Sequence, residues 1–129
     1  MQGLSHYAVL LIDDEPELRA TILSMLRSLD LRVFEAADGI SGLSLFHECR
    51  PNLVITDIAM PRKDGIETIR EIRVIDPHMR IIAMSGGVHA KYPDALGLAR
   101  ELGAAETLQK PIRMKPLLAA VSRLLAATG

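Results

Sequence analysis

The sequence predicts an α/β fold, a doubly wound five-stranded parallel sheet in strand order 2-1-3-4-5 with helices on both faces. Three observations predict it. Five segments of strand length alternate with five segments whose apolar residues recur at helical spacing. Two of the runs, residues 7–12 and 53–55, are continuously apolar, as in strands buried on both faces of a parallel sheet. Right-handed crossovers leave few other topologies for five such units in 129 residues.

Each element has its own signal. Residues 7–12 (Tyr-Ala-Val-Leu-Leu-Ile) form a strand that stops at Asp13-Asp14-Glu15-Pro16. Pro16 suits a first helical turn, and Leu18, Ile22, Met25, Leu26 and Leu29 carry the helix to about residue 29. Residues 31–36 give a second strand, and Asp38-Gly39 opens a helix with Ile40, Leu43, Leu45 and Phe46 on its apolar face. Between Pro51 and Pro61 the third strand delivers Asp57 to its far end. Residues 60–65 read as loop, and Ile66, Ile69, Ile72 and Ile75 stripe a third helix that Pro77 ends. The fourth strand, residues 80–84, runs into Ser85-Gly86-Gly87, followed by a long loop over residues 88–93. A helix over about residues 94–102 stops at Gly103, a last strand spans 106–109 before Lys110-Pro111, and Leu117, Leu118, Val121, Leu124 and Leu125 stripe the final helix.

Composition narrows the function classes. At 14.1 kDa the chain fits one domain, residues 1–129, able to bury a sizeable core without staples. Apolar residues are 49% of the chain and aromatic ones 3%, so the core is aliphatic and base-stacking nucleic-acid modules are disfavoured. Fifteen basic and sixteen acidic side chains leave a net charge of -1, with no field toward DNA or an anionic membrane. Single Cys49 excludes an internal disulfide and reads as a small buried hydrophobe. Neither a membrane-length run nor a signal pattern is present, and a cytoplasmic protein is expected.

In the predicted strand order, the first and third strands are neighbours at the switch point, where open α/β sheets place ligands. Asp13, Asp14, Asp57, Ser85 and Lys110 then share one rim. Three crowded carboxylates repel, and a hard divalent cation relieves them. Magnesium fits best, since it accepts one or two carboxylates together with phosphate oxygens. Lys110 supplies a point charge, Ser85 a rotatable donor, and backbone amides after Asp57 and around Gly86 a cradle for a three-oxygen anion. The chemistry suggested is phosphoryl transfer onto a carboxylate, giving an aspartyl phosphate.

Blander readings exist for each residue. Asp13 and Asp14 alone could cap the following helix, Ser85 alone could be a turn residue, and Lys110 alone a solvated lysine; together they favour a site. His6, His47, His78 and His89 lack metal-ligand spacing and read as surface residues. Met60, Met79 and Met84 read as packing, and Arg113, Lys115 and Arg123 as a solvated helix face.

Asp13-Asp14 after strand one, Asp57 with Met60-Pro61 and Asp64-Gly65 behind it, Ser85-Gly86 after strand four, and Lys110-Pro111 after strand five resemble the receiver domain of two-component response regulators, of the chemotaxis-regulator-like type, over nearly the whole chain. The resemblance implies the flavodoxin-like (βα)5 receiver fold. It implies that Asp57 is the phosphoacceptor. It also implies that Asp14, Asp57 and the Ala59 carbonyl, with Asp13 through water, hold Mg2+, and that Lys110 and Ser85 contact the phosphoryl oxygens. A histidine kinase or histidine phosphotransfer protein would be the donor, in a two-component system or phosphorelay. The output would be a downstream protein bound through helix 4, strand 5 and helix 5, by a monomer or weak dimer that contacts neither nucleic acid nor membrane. No enzymatic activity is expected beyond self-phosphorylation from small donors and slow autodephosphorylation.

Three departures from the family's pattern stand out. Thr107 occupies the position where receivers usually carry Phe or Tyr, three residues before the lysine. Ala59 and Gly87 are small where many receivers place polar side chains that influence dephosphorylation. The span from Ser85 to Lys110 is longer than in a minimal receiver, with the surplus in residues 87–93, a candidate partner contact. Competing readings are a receiver fragment of a longer DNA-binding regulator, a non-phosphorylated pseudo-receiver, a flavodoxin-like cofactor binder, and an aspartyl-phosphate phosphatase. Ala59 argues against the last, which needs an acid there, and the absence of a Ser/Thr-rich loop after strand one argues against the cofactor binder.

Overall fold

A computed structural model describes residues 6–60, 63–86 and 93–126. Its strands β1 (Ala8–Ile12), β2 (Arg32–Ala36), β3 (Leu53–Asp57), β4 (Ile81–Ser85) and β5 (Glu106–Gln109) form one parallel sheet in the order β2-β1-β3-β4-β5, the order the sequence predicts. The helices are α1 (Pro16–Leu26), α2 (Gly39–Cys49), α3 (Gly65–Ile75), α4 (Ala95–Glu101) and α5 (Met114–Ala126).

Every residue of β1, β3 and β4 is buried, which explains their unbroken apolar runs. Because successive side chains point to opposite faces, each run feeds two cores. Leu10, Ile12 and Val54 pack with Phe46, Ile66, Ile69, Ile72 and Ala99 beneath α2, α3 and α4. Val9, Leu11, Leu53 and Ile55 pack with Ile22, Leu26, Leu117, Val121 and Leu125 beneath α1 and α5. Three helices begin on an aspartate cap: Asp38, Asp64 and Asp94 accept from the amides of Ser41, Glu67 and Gly97 at 2.8, 2.9 and 3.1 Å. Gly103, at φ +92, ends the α4 segment in the left-handed region that a side chain would strain.

Several details differ from expectation. The first helix is α-helical only to Leu26; Arg27–Leu29 form a single 3-10 turn before Asp30 turns left-handed at φ 53. On α2, Phe46 is buried and Leu43 and Leu45 pack against the core as expected, but Ile40 is 53% exposed, and Gly39 and Gly42 are the other buried residues. A Cβ on Gly42 would stand 2.6 Å from Ile12 Cδ1, so glycine lets this helix lie close on β1. Ile75, the last residue of α3, is 46% exposed. Cys49 is half-buried, at the end of α2 instead of inside the core. Ser85 ends β4 instead of following it. Residues 1–5, Pro61, Arg62, residues 87–92, where most of the expected long loop with Gly87 and His89 falls, and residues 127–129 lie outside the described residues.

Arg73 on α3 ties two elements together. Its guanidinium donates to the carbonyls of Leu102 at 2.9 Å, Gly103 at 2.7 Å and Met79 at 2.6 Å, holding the end of α4 and the start of β4.

Candidate phosphoacceptor site

The carboxyl ends of β1 and β3 are neighbours, and each ends in acid. The Asp13 amide bonds the Ala36 carbonyl at 3.0 Å, so this residue is fixed by the edge of β2. Its Oδ1 accepts from the Glu15 amide at 2.8 Å, and Arg19 Nη1 donates to its carbonyl at 2.7 Å. The capping role weighed for Asp13 and Asp14 falls to neither: Glu15 is the N-cap residue of α1, and its side chain makes no capping bond. Asp57 closes β3, and the next amide, of Ile58, continues the sheet to the Met84 carbonyl at 3.0 Å. Gly65 lets α3 start directly behind that strand end, since a Cβ there would collide with the Asp57 carbonyl oxygen and Ile58 Cα.

Lys110 reaches the carboxylates from β5. Its amide bonds the Ser85 carbonyl at 2.9 Å, and its aliphatic stem lies over Gly86, where an added Cβ would be 3.2 Å from Cδ. The ammonium is 3.1 Å from Asp57 Oδ2, 3.3 Å from Glu15 Oε1 and 3.6 Å from Asp13 Oδ2. One cation therefore serves three acids.

Burial dominates the electrostatics. Asp57 is 2% exposed, and desolvation lifts its pKa from 3.8 to about 6, opposed by the charge and hydrogen bond of Lys110. Repulsion from Asp13 adds to the rise, and the Ala59 amide works against it. Burial likewise raises the Asp13 carboxyl, against the Glu15 amide and Lys110. Desolvation acts against the Lys110 ammonium, but Asp57, Asp13 and Glu15 outweigh it and the net shift is upward. Asp57 Oδ1 and Asp13 Oδ2 are buried without a hydrogen-bond partner. Asp13, Asp14, Glu15 and Asp57 each offer one oxygen, all within 4.8 Å of one another. Hard oxygen donors this close, two of them with orphaned oxygens, fit a small divalent cation such as Mg2+.

The structure thus brings Asp13, Asp14, Asp57 and Lys110 together. Ser85 is 4% exposed and joined to Lys110 through its carbonyl; it also lines a cavity of about 130 Å³ with Pro93, Asp94, Ala95, Leu96 and Gln109. Ala59 is exposed beside Asp57. Glu15 was not among the predicted site residues. Its signal was a third consecutive acid, held between the Asp pair and Pro16. Thr107 Oγ1 accepts from Arg100 Nη2 of α4 at 2.9 Å, so a polar tie stands where the resemblance leads one to expect an aromatic ring.

Comparison with known proteins bears on the fold and the family. A family model described as the response regulator receiver domain matches residues 9–122. The chain is 35% identical to Protein CcdB of Bacillus subtilis (strain 168), covering 91% of this chain and 96% of that protein. It is 30% identical to sporulation initiation phosphotransferase F of the same organism, covering 91% and 92%. Among solved structures, a response regulator receiver domain protein from Clostridium thermocellum is 34% identical with a TM-score of 0.84, covering 95% of this chain and 96% of that one.

Proposed function

The chain belongs to the response regulator receiver domain family of two-component signalling, and from that premise we propose that Asp57 accepts a phosphoryl group and that the domain switches partner binding in response. Receiver domains are signalling modules and generally bind Mg2+ at an acidic pocket. The observation that carries the proposal is the pairing of a 2% exposed aspartate, one oxygen of which has no partner, with a lysine 3.1 Å from the other. A buried, under-satisfied carboxylate is costly unless a reaction or a ligand uses it.

Each residue has a role in this reading. Asp14, Asp57 and the Ala59 carbonyl, with Asp13 through water, would hold Mg2+. The bound cation would supply positive charge against the phosphoryl oxygens. Asp57 is the nucleophile. Lys110, already between Asp57 and Asp13, neutralises charge as the phosphoryl group arrives, and the Ser85 hydroxyl donates to one of its oxygens. The donor is a phosphohistidine on a histidine kinase or histidine phosphotransfer protein, and the output face is α4, β5 and α5. Residues 1–129 act as one receiver unit in the cytoplasm; among the described residues no helix is long and apolar enough to cross a membrane.

The test uses Mg2+ with beryllium fluoride or acetyl phosphate. A saturable change in the backbone NMR spectrum is expected for the wild type, and Asp57→Asn abolishes it. An equal response from the mutant would remove Asp57 from the role.

A further inference from the structure

We propose that Glu15 selects the phosphodonor by charge, disfavouring donors that carry more negative charge relative to N-phosphoryl donors that carry less. The inference rests on Asp57 being the phosphoacceptor. The Glu15 side chain is 61% exposed while Asp13 and Asp57 lie at 0% and 2%, so among these carboxylates it is the one at the mouth of the site. Its Oε1 is 3.3 Å from the same Lys110 ammonium that is 3.1 Å from Asp57 Oδ2, and one of its oxygens lies within 4.8 Å of an Asp57 oxygen. A phosphorus atom in contact with Asp57 is therefore close to Glu15. The backbone holds it there. The Glu15 amide bonds Asp13 Oδ1 at 2.8 Å, and Pro16 restricts the residue to its extended conformation, φ -93 and ψ 108.

Charge makes the position matter. Four carboxylates and one ammonium give the cluster a formal charge of three negatives, and a divalent cation leaves one. Neutralising Glu15 brings the loaded site to zero, and a cation there makes it positive.

The transfer itself is the same for any donor. An Asp57 oxygen gives its electron pair to phosphorus as the bond to the leaving atom breaks. From acetyl phosphate the pair leaves on an acetate oxygen, as an anion. From phosphoramidate it leaves on a protonated nitrogen that departs as ammonia. From phosphohistidine it leaves on the phosphorylated ring nitrogen, the proton on the other ring nitrogen making the departing imidazole neutral. Near neutral pH acetyl phosphate is a dianion and phosphoramidate a monoanion, so the two differ by one charge. A unit charge at about 6 Å in water changes a rate by about threefold per unit of donor charge, within the screening length of ordinary buffers.

The experiment measures, at saturating Mg2+ and by intact mass, the rate of Asp57 phosphorylation by acetyl phosphate and by phosphoramidate, and takes their ratio. Effects of a substitution on folding or on the fraction of metal-loaded protein act equally on both donors and cancel. The ratio is expected to rise about threefold in Glu15→Gln and about tenfold in Glu15→Lys, and these increases should shrink in high salt. Glu17→Gln removes an exposed acid of α1 outside the cluster and should leave the ratio unchanged. A ratio unmoved in both Glu15 variants, with both donors still modifying Asp57, overturns the selection and leaves the phosphoacceptor standing. If neither donor modifies the wild-type protein, the phosphoacceptor reading falls and this proposal with it.

Discussion

Asp57 is held in the fold against its preference for water, which makes its charge a stability term. In the unfolded chain its pKa is the ordinary 3.8; in the folded chain it is about 6. Between those values the folded state binds more protons, so stability is fully present below about pH 3.8 and is lost as pH rises through 6. Without Mg2+, Asp57→Asn is expected to be more stable than wild type at pH 7 by about 1–3 kcal/mol, and the two should converge near pH 4. Urea unfolding at both pH values checks this, and a mutant less stable at pH 7 would show that the Lys110 pairing outweighs burial. The same residue was legible in the sequence, as were Asp13 and Asp14, because each follows or ends an apolar run of strand length; Lys110 was legible from Lys110-Pro111 after the last, more polar strand. Glu15 was not. It lies beyond the strand end, as a third acid before Pro16, and reads as part of the helix start until its side chain is seen on Lys110.

At the scale of elements, hydropathy spacing locates the helices and most of their covered faces, but not every residue on them. On α2 it points to Phe46, Leu43 and Leu45, which pack on the core, and also to Ile40, which is exposed, while the buried Gly39 and Gly42 carry no hydropathy signal. The tie between Thr107 and Arg100 was illegible for another reason: Thr107 stands out in the sequence only as a missing aromatic, and Arg100 meets it only once α4 packs beside β5. Arg73 is the stronger joint of this kind. It is half-buried, burial lowers its pKa against the pull of Asp76, and three carbonyls from the end of α4 and the start of β4 depend on it. Arg73→Ala leaves those acceptors short of donors and should cost about 1.5–3 kcal/mol. Amide hydrogen exchange should locate the loss at residues 98–104. A uniform loss across the sheet, with no local excess there, would show that the arginine does not anchor α4 in particular.

For the molecule as a whole, the two apolar cores are not independent, because β1, β3 and β4 contribute alternate residues to both. Ile69 seals one face under α3 and Leu117 the other under α5, each fully buried. Opening a cavity on either side weakens strands that the other side also needs. Ile69→Ala and Leu117→Ala should each destabilise the domain by about 2–5 kcal/mol. Each should also shift one cooperative transition, with secondary structure and tertiary packing lost together. Since the residues lie on opposite faces of the sheet and belong to separate clusters, their costs should add within about 0.5 kcal/mol in the double mutant. The check is chemical denaturation followed by far-ultraviolet circular dichroism and by an environment-sensitive probe on each face. Coincident curves are expected in all variants. Separate transitions for the α3 side and the α5 side would mean that the central strands do not couple the faces, and that a change at Asp57 could reach one helix layer without the other.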